Sequence, residues 1–270
     1  MNALAQSAPT PAAAPVLRQD QGAVAWLTLN RPAQRNALSI GLMQAMCEEL
    51  ERIKSDDAIK VVVVAAAGPG FCAGHDLKEL RANPGRQFYE QTFALCSQLM
   101  IAITRLPKPV IARVHGIATA AGCQLVATCD LAVATKGAKF ATPGVNIGLF
   151  CSTPMVALSR NIGRKRSMEM LLTGEMIDAD QAQQYGLVNR VVAEDQLDAA
   201  VSALAEQIAA KSPLTLAIGK EAFYRQAELD LDKAYAYASE VMTKNMLARD
   251  AETGIDAFIN KQPQPKWQGR

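Results

Sequence analysis

Phe71-Cys72-Ala73-Gly74-His75-Asp76-Leu77-Lys78 follows the apolar run Val61 to Ala67, and Gly116-Ile117-Ala118-Thr119-Ala120-Ala121-Gly122-Cys123-Gln124 follows Val110 to Val114. Each stretch is a small-residue turn at the end of a strand-like segment. Val61 to Val64 is a continuous β-branched run, the pattern of a strand covered on both faces, and such strands imply an α/β architecture. Glycine and alanine let backbone N–H groups approach a ligand closely. They equally permit tight packing of a strand on the following helix, and for either turn alone the two readings stand level.

Working outward, Val24 to Leu29 reads as a strand ending in the turn Asn30-Arg31-Pro32. Ser39 caps a helix with Leu42, Met46, Leu50 and Ile53 on one face. Helix-period apolar residues Leu95, Leu99 and Ile103 mark a helix through Phe88 to Thr104, and Leu131 to Ala134 is a further strand after a short helix from about Ala121. Strand, small-residue turn and helix alternate without a strict period. After Val192 helix formers take over: Glu194 to Lys211 is amphipathic, Ser212-Pro213 is an N-cap with proline at the first helical position, and helices are expected over 213–226, 231–248 and 251–260. These helices are too polar for a core of their own. The division expected is a tail at 1–15, a body at 16–193 and a helical region at 194–270.

Twenty-eight Lys+Arg against 26 Asp+Glu exclude the basic face of a nucleic-acid binder, so an anionic ligand must be held locally. The six cysteines have no C-x-x-C pair or metal-like spacing, and two histidines are too few to complete a zinc site; free, mostly buried thiols in a reducing compartment are expected. The stretch from Val110 to Thr135 is interrupted by Arg113, His115 and Asp130 and is not a membrane span. The first fifteen residues are Ala/Pro-rich and uncharged, without the arginines of a transit peptide, which gives the expectation of a cytoplasmic protein with a flexible tail.

Over residues 22 to 267 the chain resembles the crotonase (enoyl-CoA hydratase/isomerase) superfamily. The resemblance rests on Leu29 to Pro32 with Arg35 to Ser39, Phe71 to Leu80, Pro107 to Ala112, Gly116 to Asp130, Leu172 to Gly174, Ala182 to Val191, and Phe258, all in the family's order. It implies a spiral of ββα turns that binds a bent acyl-CoA, and C-terminal helices that build homotrimers, often paired into hexamers. Coenzyme A enters as the substrate's thioester, with no separate cofactor or metal. Mapped by motif, the N–H groups of His75 and Ala121 polarise the thioester carbonyl as an oxyanion hole, and Gln124 takes the place of a catalytic glutamate. Ala37, Ala73, Asp76, Leu77 and Lys78 fall on the CoA-binding segment, where Lys78 meets the phosphates, and Lys261 is placed to reach a neighbouring subunit's CoA. Ala118 to Asp130 with Phe140 to Pro154 are most similar to the subgroup named for enoyl-CoA hydratase domain-containing protein 3.

The chain departs from the hydratase pattern. Hydration uses one carboxylate to deprotonate water and another to deliver a proton to the α carbon. The two family glutamates fall here on Gln124 and Gly144, and neither side chain exchanges a proton. Thr119, Thr142, Asn146, Cys151, Ser152 and the His75 side chain remain as polar groups of the acyl site. Gln124 holds a water or a thioester substituent, or it satisfies backbone groups at the start of its helix; both readings stay open. His75 and the Pro143 to Gly148 turn also resemble a methylmalonyl-CoA decarboxylase-like branch, which implies enolate chemistry by orientation rather than by a carboxylate base. A non-catalytic acyl-CoA binder is the third reading.

Overall fold

The computed structural model describes residues 14–270. Most of the expected N-terminal tail therefore lies outside the described residues. Ala14 and Pro15 are tied down, since the Asn30 side chain and backbone N–H donate to their carbonyls at 3.0 and 2.8 Å.

The chain opens with β1 (Val16–Gln21) and β2 (Val24–Leu29), followed by α1 (Ile40–Lys54) and β3 (Val61–Ala66). Next come α2 (Leu77–Ala82), α3 (Arg86–Arg105), β4 (Val110–Val114), β5 (Ala118–Thr119), α4 (Ala121–Thr128), β6 (Leu131–Thr135) and β7 (Lys139–Ala141). A 3₁₀ turn at Pro143–Ile147 leads to α5 (Pro154–Asn161), α6 (Arg164–Thr173), β8 (Ile177–Asp178), α7 (Ala179–Tyr185) and β9 (Arg190–Val192). Four helices close the chain: α8 (Leu197–Ala209), α9 (Pro213–Gln226), α10 (Leu231–Met246) and α11 (Arg249–Ile259).

Six strands form one sheet in the order β1-β2-β3-β4-β6-β9, antiparallel at the first pair and parallel thereafter. A second ladder runs beside it: β5, β7 and β8 form a small sheet, which Cys72 joins through a bridge to Ala118, while a bridge between Leu38 and His75 links the next pair of segments. Each winding leaves a large-sheet strand, passes through this second ladder and returns by helix. That is a ββα spiral, as expected.

The unbroken apolar runs follow from burial on both faces. Ala25, Leu27, Val62, Val64, Ala112 and Ala134 face the main core with Leu42, Met46, Leu99 and Ile103. Val24, Val61, Val63, Ile111 and Val133 face the other way, against Leu197, Val201, Leu204 and Ala205 of α8. Each such Leu or Val, fully buried, contributes about 1.5–3 kcal/mol. α8 thus belongs to the covering of the sheet. α9 is pinned by Lys220, whose ammonium donates to Asp130 Oδ2 at 2.6 Å and to the Ile103 and Lys108 carbonyls, while Tyr224 Oη donates to Asp130 Oδ1 at 2.8 Å.

Local signals and elements agree at several points. Ser39 Oγ accepts from Leu42 N–H at 3.2 Å as the cap of α1, and Ser212 Oγ accepts from Thr215 N–H ahead of Pro213. β1 and the two-residue strands were not legible, being too short or too mixed to show a period. Among the described residues no helix is long and apolar enough to cross a membrane.

The winding is tightest where α4 meets the turn after β3. A Cβ added to Gly122 would sit 2.1 Å from the Cys72 carbonyl oxygen, a backbone atom that cannot step aside. Gly122→Ala is expected to destabilise by about 3 kcal/mol or more through overpacking, whereas Gly137→Ala, with open space at its Cβ, should stay within about 0.5 kcal/mol. Urea unfolding of the pair checks this, and equal midpoints would refute the close approach.

Candidate active site

Three segments lie side by side at the second ladder. Ala73 N–H donates to the Arg35 carbonyl at 3.0 Å, Leu38 N–H to the Gly74 carbonyl at 2.7 Å, and Thr119 N–H to the Cys72 carbonyl at 2.9 Å. Asn36 clamps the first segment from a left-handed backbone (φ 54). Its Nδ2 donates to the Ala67 and Gly70 carbonyls, and its Oδ1 accepts from Arg31 N–H. Arg31 also reaches the Ala37 carbonyl at 2.7 Å and Asp76 at 3.0 Å. Asp76 in turn caps α2 through Glu79 N–H.

These contacts set the backbone around the first of the two expected donors. In the parallel bridge of Leu38 with His75, Asp76 N–H donates to the Leu38 carbonyl and the Gly74 carbonyl accepts from Leu38 N–H. The N–H of His75 therefore points to the opposite side, because a parallel ladder uses the groups flanking the bridged residue. Ala121 is the first residue of α4, a position whose N–H has no acceptor within its own helix. Among the described residues neither N–H donates to another backbone carbonyl outside its own element. A Cβ on Gly74 (φ +95) would come within 2.9 Å of Ala120 Cβ and 3.3 Å of the Ala121 nitrogen, so the two turns are in direct contact. Ala120 enters α4 at φ 50, ψ −118, a glycine-like conformation. Such backbone strain costs about 1–3 kcal/mol and persists only where its surroundings impose it.

The side chains around these donors carry little charge. His75 is half-buried, with Nε2 sealed from solvent and without a partner, and the ring meets Phe93 edge-on at 5.3 Å. Burial in these apolar surroundings lowers its pKa to about 4, which keeps the imidazole neutral. Burial pushes the Cys72, Cys96 and Cys123 thiols up to about 12 and that of Cys151 upward as well. All six cysteines are free.

Gln124 is buried, at 4% exposure. Its Oε1 accepts from the Cys96 thiol at 4.0 Å, and among the described residues its side chain bonds no backbone group of α4. Cys96 was not singled out in the sequence, although it shares the buried face of α3 with Thr92, Leu99 and Ile103 and the helical period points to it. Phe93 had no signal of its own. Gly144 is crowded: a Cβ there would meet the Leu149 carbonyl oxygen at 2.6 Å and Cys151 Sγ at 2.9 Å. Thr119 and Thr142 are engaged with the Ala73 and Met170 carbonyls, while Asn146 and Ser152 are exposed.

Ala73, His75 and Ala121 therefore lie where the two turns meet, with Gln124 one turn further along α4 and Ala37 on the adjoining segment. Leu77 and Lys78 are exposed at the start of α2, and Lys261 is exposed just beyond α11. Among the described residues no hydrogen bond or ion pair ties the Lys261 side chain to the turns. Among the described residues no three His, Cys, Asp or Glu side chains cluster as metal ligands.

A family model described as Enoyl-CoA hydratase/isomerase matches residues 19–270. The rat protein named "Enoyl-CoA hydratase domain-containing protein 3, mitochondrial" is 45% identical over 250 residues, covering 93% of this chain and 83% of its own. Of solved structures, the Mycobacterium smegmatis enoyl-CoA hydratase is 54% identical, with a TM-score of 0.91 over 94% of this chain and 98% of that one. Human enoyl-CoA hydratase domain-containing protein 3 is 43% identical, with a TM-score of 0.90 over 93% and 99%. The expectation of a cytoplasmic protein is corrected by these relatives: those from rat, mouse, Xenopus laevis and human are all named as mitochondrial. The uncharged first fifteen residues were a poor guide, since composition alone does not encode a compartment.

The neutral His75 has a consequence for stability. The unfolded chain takes up a proton at its ordinary pKa of about 6.5, but the folded one only near 4. Stability is therefore retained above about 6.5 and falls as pH drops through this window, by an amount on the order of 3 kcal/mol in full. His75→Asn should flatten this part of the curve of unfolding free energy against pH, measured by denaturant titration from pH 7 to 4.5; parallel curves would show a solvated imidazole.

Proposed function

Because the chain belongs to the enoyl-CoA hydratase/isomerase family, we propose that it binds an acyl-CoA thioester and polarises the carbonyl between the N–H groups of His75 and Ala121, without efficient ordinary hydration. The observation that supports this reading is the contact of two turns whose N–H groups at His75 and Ala121, among the described residues, donate to no backbone carbonyl outside their own elements. Developing enolate charge on the thioester oxygen is best stabilised by fixed donors of this kind, and losing one costs about 3–4 kcal/mol in other enzymes. Lys78 meets the CoA phosphates, and Lys261 reaches the CoA of a neighbouring subunit. Coenzyme A is part of the substrate, and the chemistry asks for no further cofactor.

Two features argue against hydration. Gln124 cannot act as a base, and Gly144 is hemmed in by backbone, so no carboxylate stands at either family position. A second reading is favoured by the neutral, unpartnered His75 imidazole: decarboxylation of a malonyl-type thioester. The bond from the α carbon to the carboxylate breaks, CO₂ leaves, its electron pair passes into the thioester enolate, and the α carbon then takes a proton from water. Self-association is part of the proposal. Phe223, Leu231, Tyr235, Leu247, Phe258 and Ile259 on the last helices are all exposed, an apolar face that trimer or hexamer formation would cover.

Hydration of crotonyl-CoA should run well below about 10 per second; turnover at that level would overturn the reading. CO₂ release from malonyl-type thioesters separates the second chemistry, and an unchanged rate in His75→Ala would remove His75 from it. Tight thioester binding without any product would leave a binding protein. Sedimentation should give a trimer or a multiple of it, and a monomer at micromolar concentration would refute the assembly.

A further inference from the structure

The turn that leads to Ala121 is the tip of a unit with β4 as the arm going in and α4 as the arm coming out. The far ends of both arms meet at one carboxylate. Asp130, two residues past the end of α4, accepts from the Val110 N–H at the start of β4 through Oδ2 at 2.7 Å. Its oxygens are then gripped from outside the unit: Lys220 Nζ donates to Oδ2 at 2.6 Å, and Tyr224 Oη donates to Oδ1 at 2.8 Å. Burial, and then the charge of Asp130, push the Tyr224 phenol upward, so its hydroxyl stays a donor. Lys220 spends its other donors on the Ile103 and Lys108 carbonyls, at 2.9 and 3.0 Å. The side chains of Lys220 and Asp130 are only 7% and 16% exposed.

An apolar contact would seat α9 about as well, because a buried ion pair repays little beyond its own desolvation. What the ammonium and the phenol add is direction, since each fixes one oxygen of Asp130 at a set distance. α4 passes that constraint on. Its residues from Ala121 to Thr128 are all buried, Asn161 Nδ2 donates to the Ala127 carbonyl at 2.8 Å, and Ala120 N–H donates to the Ala141 carbonyl at 2.9 Å just before the first turn. With its sides packed in this way, the freedom left to α4 is along its own axis, over a length of about 12 Å. Asp130 stands at one end of that axis and the Ala121 N–H at the other.

We propose that Lys220 and Tyr224 are positioning residues of the acyl-CoA site: by gripping Asp130 they set the axial position of α4, and with it the place of the Ala121 N–H against the thioester oxygen. The inference rests on the acyl-CoA reading above. It gives the helical C-terminal region a part in a site otherwise built from the body. Both side chains act through Asp130 rather than on the substrate.

Infrared spectroscopy of butyryl-CoA with a heavy-carbon label at the thioester carbonyl tests this, because hydrogen bonding to the bound oxygen lowers the stretching frequency. On the wild-type full chain the band should lie below that of the free thioester. Tyr224→Phe keeps the ring and removes one bond to Asp130, so its band should return part of the way to the free value. Its affinity for butyryl-CoA should fall roughly threefold or more, the worth of a weakened hydrogen bond between neutral groups, while affinity for CoA without an acyl group stays the same. Lys220→Met should act in the same direction and further; if it does not fold, Tyr224→Phe carries the test alone. Leu204→Ala is the control for a merely structural effect, since Leu204 packs on the opposite face of the sheet. It should lower the urea midpoint and leave the band and both affinities in place. An unmoved band in Tyr224→Phe, or an equal shift in Leu204→Ala, overturns the inference and leaves the thioester site standing. A wild-type band equal to that of the free thioester, or no binding of butyryl-CoA to the wild-type protein, overturns the acyl-CoA reading and this inference with it.

Discussion

The contact between two turns that carry almost no side chain is the constraint from which the site follows. Gly122 lies against the Cys72 carbonyl, and Gly74 lies against Ala120 and the Ala121 nitrogen, at separations that leave no room for a Cβ. Neither turn could hold this position alone. The Asn36 clamp, the Arg31 bridge to Asp76 and the alanine at φ 50 are what force the segments together. Strain at Ala120 is tolerated because bonds on both sides over-determine the backbone there. The result is a pair of backbone dipoles whose positions are fixed by these contacts.

Around those dipoles, apart from the Arg31–Asp76 ion pair, the protein has arranged groups that do not ionise near neutrality. The imidazole is kept neutral by burial, the thiols are kept protonated, and an amide occupies a position where the family pattern has an acid. For the proposed acyl-CoA site, apolar surroundings strengthen the pull of N–H groups on a developing oxyanion. Under the same proposal, the proton carriers that addition of water requires are withheld.

Much of this was legible in the chain. Val61 to Val64 and Val110 to Val114 gave their strands because burial on two faces leaves a continuous apolar run, and Ser39 and Ser212 gave their helix starts because a hydroxyl cap is a local event. The turns at 71–78 and 116–124 showed their small-residue pattern in the sequence, while the donors at His75 and Ala121 came from the family resemblance. What escaped was everything decided by partners distant in sequence. The pairing of Gln124 with Cys96 spans two helices, the edge contact of Phe93 with His75 joins α3 to a turn, and the crowding of Gly144 arises from residues folded back over it. The two-residue strands of the small sheet are defined by their neighbours and have no pattern of their own.

Position 144 also limits which chemistries a descendant of this chain can reach. At position 124 an amide and an acid have the same shape, so exchanging one for the other leaves the packing intact. At position 144 the Leu149 carbonyl and the Cys151 sulfur occupy the volume into which any side chain must grow, and backbone there would have to be rebuilt before an acid could be accepted. The two halves of the missing pair are thus unequally recoverable. A single coding change is sterically admissible at the first, while the second lies behind a mutational ratchet set by the path of residues 149–151.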